Sequence, residues 1–79
     1  DAQPISVSVS ADGNRIALIR SRDGRTELML YRRGVGILQR LPMEPVGVPR
    51  EVSLDGSGRL LAVQVSRQGH WDVDLIRLP

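Results

Sequence analysis

One phrase occurs twice in this chain and limits what it can fold into. The first copy is Ser10-Ala11-Asp12-Gly13-Asn14-Arg15-Ile16-Ala17. The second is Ser53-Leu54-Asp55-Gly56-Ser57-Gly58-Arg59-Leu60-Leu61-Ala62, longer by two residues. Each copy sets an Asp-Gly pair between two runs of apolar residues. Glycine supplies the positive φ of a tight hairpin turn, and short Ser and Asp side chains cap turn amides. Each copy then leads through a second turn into a third strand, so the chain reads as antiparallel meanders.

The runs between the turns have a period of two. Ile5, Val7 and Val9 alternate with Ser6, Ser8 and Ser10, the pattern of a strand with one buried face. Arg15–Ser21 returns with Ile16 and Leu18 on one face and Ala17 and Ile19 on the other, which implies cover on both sides. Asp23-Gly24 turns into Thr26–Arg32, and Arg33-Gly34 turns into a weaker strand, Val35–Leu41, loosened by Gly36. A connector rich in proline follows, from Pro42 to Pro49. The pattern then restarts with a short strand at Glu51–Leu54, where Pro49 demands an edge position or a strand start. Arg59–Ser66 is again apolar on both faces, Gln68-Gly69 is the turn, and Trp71–Arg77 the third strand.

At an offset of 45, Ile16-Ala17 matches Leu61-Ala62, Ser21-Arg22 matches Ser66-Arg67, and Gly24 matches Gly69. The chain is therefore an internal repeat with a period in the range of propeller blades. Residues 1–42 form a first unit, 43–49 a connector, and 50–79 a second unit of three strands. The expected fold is all-β: antiparallel four-stranded meander blades, about two blades of a β-propeller, the second incomplete.

The phrase Ser-x-Asp-Gly followed by Arg-Ile-Ala or Arg-Leu-Leu-Ala resembles the blade repeat of TolB-like β-propellers, the bacterial TolB-related type. So do the following segments, Asp23-Gly24-Arg25-Thr26-Glu27-Leu28 and Gln68-Gly69-His70-Trp71-Asp72-Val73. The pattern departs from the family where Ala11 and Leu54 replace its proline and where Val9 and Val52 replace its tryptophan. The resemblance implies a non-enzymatic protein-interaction or scaffold module of the periplasm or cell envelope. Its alternative is an accessory propeller domain of a larger, peptidase-type hydrolase whose catalytic domain is absent. Asp1 in place of an initiating Met points to a processed form or an excised piece.

Composition removes several other classes. There is no Cys and one His, so thiolate metal sites and disulfides are out of reach. All eleven basic residues are Arg, against nine Asp and Glu, for a net charge of only +2. The sequence pI near 10.4 arises because almost nothing titrates between carboxylates and guanidinium groups. The arginines are scattered, without the stripe a nucleic-acid surface needs. No apolar run approaches the ~20 residues of a membrane span.

The residues that could carry chemistry all have simpler roles. Asp72 and Asp74 share one strand face about 7 Å apart, a spacing suited to glycoside hydrolysis or calcium. The repeat maps Asp74 onto Met29, however, and a solvated face is the better reading. His70 near Ser66 and Asp72 lacks a nucleophile elbow, and Gly56-Ser57-Gly58 is a turn, not a phosphate loop. No catalytic, cofactor or metal residue is expected. Trp71 reads first as an inter-blade core residue, with a binding-surface aromatic as the alternative because the Gln68-Gly69-His70 loop beside it opens on one face. The candidate contact surface is a polar loop face of Arg22, Asp23, Arg25, Arg67, Gln68 and His70, beside Met43 and Glu44, binding a protein partner. Two units cover only one face of each other, so self-association is also expected, with the strands around Leu61 and Leu75 near the contact.

Overall fold

A computed structural model of the chain describes residues 2–79. Seven strands form two antiparallel sheets. The first sheet runs in the order β1 (Ala2–Val9), β2 (Arg15–Arg22), β3 (Arg25–Arg32), β4 (Ile37–Arg40). The second runs β5 (Val48–Leu54), β6 (Leu60–Arg67), β7 (His70–Arg77). Each strand pairs with its neighbour in sequence, as expected when every connection within a sheet is a short turn. Residues 41–47 join the two sheets.

The core lies between the sheets. Ala17, Ile19, Leu28 and Leu30 project from the first, and Val52, Leu54, Leu61, Val63 and Val65 from the second, all of them buried. β5 also docks on β1 through side-chain hydroxyls, an arrangement the Ser6-Ser8 alternation makes possible. Ser6 Oγ accepts the Val52 N–H at 3.2 Å and Ser8 Oγ the Leu54 N–H at 2.8 Å. Two backbone donors at the edge of β5 are thereby satisfied without a strand beside them.

The repeat is closer than its sequence suggests. An offset of 45 relates the pairing registers throughout: Ser8 faces Ala17 as Ser53 faces Ala62, and Leu18 faces Met29 as Val63 faces Asp74. Even the irregularity recurs, between Pro4 and Ser6 and between Pro49 and Glu51. Both prolines lie on edge strands, where a missing N–H costs no ladder bond.

The turns correct two expectations. In the first copy Gly13 has φ +74°, and its N–H donates to Ser10 C=O. In the second copy the equivalent residue is Gly58, at φ +75° and bonded to Asp55 C=O, and not Gly56. The two phrases are therefore equal in length. What moved is the capping carboxylate. Asp12 accepts the Asn14 N–H at 2.9 Å, whereas Asp55 stands at the position of Ser10 and accepts the Arg59 and Leu60 N–H groups at 3.0 Å. After β3 the turn spans residues 33–36, with positive φ at Gly36 (+69°) and not Gly34, which shortens β4 to four residues.

Within the chain β2 and β6 are covered on one side only, as two units that cover one face of each other require. Ala17 and Ile19 are buried, but Ile16 and Leu18 on the opposite face are only partly so. Leu60 is likewise 39% exposed behind buried Leu61.

Candidate functional site

The polar loop face comes from two equivalent hairpins. Arg22-Asp23-Gly24-Arg25 closes β2 on β3, and Arg67-Gln68-Gly69-His70 closes β6 on β7. Asp23 and Gly24 have φ of +51° and +75°, Gln68 and Gly69 of +47° and +81°. Two consecutive positive-φ residues are the signature of the type I′ turn, whose twist suits a hairpin. Arg22, Asp23, Arg25, Gln68 and His70 are exposed. Arg25 lines a groove with Met43 and Glu44, so the first turn does lie beside the connector.

Arg67 has a different role. Its side chain is only 12% exposed. Nη2 donates to Asp74 Oδ2 at 2.6 Å, Nη1 to Asp74 Oδ1 at 2.9 Å and to Asp72 Oδ2 at 3.3 Å, and Nε to Pro45 C=O at 3.0 Å. This fork on Asp74, with the Nε bond into the connector, ties residues 41–47 to the second sheet. The connector comes close enough that a Cβ on Gly47 would sit 2.5 Å from Val65 Cγ1 and 2.7 Å from Arg67 Cγ. Arg67 is thus a clamp within the fold, and its equivalent Arg22 holds only a 4.0 Å contact to its neighbour Asp23.

The clamp accounts for the two aspartates. They share a face, as their spacing requires, but it is the face turned toward the first sheet, and Asp74 is only 23% exposed. The bonds from Arg67 hold the Asp74 carboxyl below its ordinary value and raise the guanidinium above its own. Asp12 is lowered chiefly by the Asn14 N–H and the Ser10 hydroxyl, and Asp55 by the Leu60 N–H and the Ser57 hydroxyl. Each of these carboxylates has a structural partner. No group of three or more metal-ligating side chains occurs among the described residues, and no helix among them is long and apolar enough to cross a membrane.

Sequence reasoning foresaw uncovered faces but did not place Trp71, Val7 and Val9 on them. Trp71, expected in the core, is 68% exposed, with Val73 (65%) and Leu75 (68%) beside it on the outer face of the second sheet. On the outer face of the first, Val7 and Val9 are 54% and 52% exposed. The signal was available in the register. Trp71 pairs with Ser66 and Leu75 with Ala62, so Trp71 lies on the face opposite Leu61, Val63 and Val65. Contiguous exposed apolar surface of this kind marks interaction sites. No family model, no curated protein and no solved structure matches this chain.

Proposed function

We infer that the chain is a non-enzymatic interaction module: two successive blades of a TolB-like propeller of the cell envelope, acting by presenting surfaces to protein. The observation that carries this reading is the pair of exposed apolar faces, centred on Trp71 and Leu75 on one side and on Val7 and Val9 on the other. The blade assignment is supported by two stacked antiparallel meanders in a register that repeats every 45 residues. The turn residues Arg22, Asp23, Arg25, Gln68 and His70 form a polar rim to the contact, with Arg67 holding the second turn against the connector.

Trp71 is the only tryptophan, so its fluorescence reports on one outer face directly. With immobilised chain and envelope extract, specific capture that falls for the V73R/L75R or V7R/V9R variants is expected. Quenching of Trp71 by acrylamide should decrease as the face is covered. A chain whose Trp71 stays fully quenchable at every concentration, and whose variants capture as well as the wild type, refutes the reading.

A further inference from the structure

The 45-residue register has a consequence for the two outer faces. Adding 45 to a residue of the first sheet's outer face gives a residue of the second sheet's inner face. Val7, Val9, Ile16 and Leu18 correspond to Val52, Leu54, Leu61 and Val63, none more than 9% exposed. The second sheet's outer face corresponds in the same way to the first sheet's inner face. Ala62, Val73 and Leu75 stand where Ala17, Leu28 and Leu30 are buried. The packing between the sheets thus joins two kinds of face, and the molecule leaves one unpaired face of each kind.

We propose that a second copy of this chain seats the outer face of its first sheet on the outer face of the second sheet, repeating between copies the packing made within one. The proposal rests on the interaction-module reading and names its partner. The polar contacts carry over with it. Ser8 Oγ accepts the Leu54 N–H inside the chain, so Ser53, its equivalent, accepts the Val9 N–H of the second copy. Ser6 accepts the Val52 N–H, and Glu51 at the equivalent position offers a carboxylate to the second copy's Val7 N–H. Ala11 N–H donates to Gly56 C=O, so Gly56 N–H meets the second copy's Ala11 C=O. The copied interface is more polar than the internal one, because Gln64 replaces Ile19 and Arg20 replaces Val65. Association is therefore weaker than the packing within one chain and depends on concentration. Joining unlike faces makes the contact heterologous, so copies close into a ring or continue as an array.

Two variants decide the matter. V7R/V9R charges the first sheet's outer face and V73R/L75R the second's, all at positions at least half exposed. Circular dichroism checks that each folds. By light scattering coupled to size exclusion, the wild type exceeds the 8.7 kDa of one chain and each variant alone remains at it. Their equimolar mixture reaches twice that mass and no more, because each supplies the face the other lacks. Variants that still dimerise alone would establish like-to-like contact, and a mixture that stays monomeric would exclude face-to-face contact; either overturns the proposal. A second measurement uses milder changes. Val9→Cys chains mixed with Ser53→Cys chains should cross-link to each other through a short bifunctional reagent in preference to themselves, and an equal yield of like pairs counts against it. A wild type that stays monomeric yet captures another protein through these faces ends the proposal and leaves the module reading standing. Loss of both ends both.

Discussion

Replacing Gly58 by Ala tests the repeat register more sharply than any other single change. Gly58 is at φ +75°, and an added Cβ would meet Arg15 Cδ at 3.0 Å and Ser10 Cβ at 3.1 Å. The left-handed conformation costs an L-residue about 1–2 kcal/mol. Overpacking against the turn of the first sheet adds about 1–3 kcal/mol. A chain of this size has on the order of 4–12 kcal/mol of stability, so G58A should remove a large fraction of it. Gly24 and Gly69 are likewise at positive φ, +75° and +81°, with nothing near their missing Cβ. G24A and G69A should each cost about 1 kcal/mol, lowering Tm by about 4–8 °C. Gly56 has no positive φ, and its Cβ would make only an ordinary contact with Ala11 at 3.8 Å. G56A should be nearly neutral. Thermal unfolding followed by circular dichroism at one fixed protein concentration ranks the four. If G56A proved as damaging as G58A, the Asp55-Gly56 pair would form the turn after all, and the 45-residue register would fail.

Other changes address the connector and the carboxylates. Gly47→Ala should destabilise by about 1–3 kcal/mol through overpacking alone, and in a double-mutant cycle it should cost less in a V65A background than in the wild type, because the Cγ1 it crowds is gone. Asp74 has a folded pKa below its unfolded value, so its contribution is complete above about pH 4. It is lost as pH falls through the lower folded value. Urea midpoints measured across that window should decline less steeply for D74N than for the wild type. R67Q should remove the same pH dependence and release the connector, visible as faster amide exchange in residues 41–47.

Strand positions were legible in the sequence because each strand alternates and each turn carries glycine. Five hairpins and the connector follow from that alone. The exposed hairpin positions of Arg22, Asp23, Arg25, Gln68 and His70 were legible too, whereas the position of Arg67 was not. Its arginine could be read as an exposed turn residue until the register set it on one face with Asp72 and Asp74 and under Gly47. The second copy of the phrase misled because Asp-Gly was matched to Asp-Gly. The backbone matches instead the glycine at positive φ, and the capping carboxylate was free to move from the third turn position to the first. Trp71 was misplaced for a different reason. Hydrophobicity shows that a face is meant to be covered, but not whether one chain contains its cover.

The wild-type mass at rising concentration, from light scattering coupled to size exclusion, tests the central claim most directly. Two sheets bury one face of each, and the remaining two faces are copies of those already joined. The account predicts species above 8.7 kDa that grow with concentration, with quenching of Trp71 falling in parallel. A monomer throughout the micromolar range, melting sharply with Trp71 still open to quencher, would contradict it.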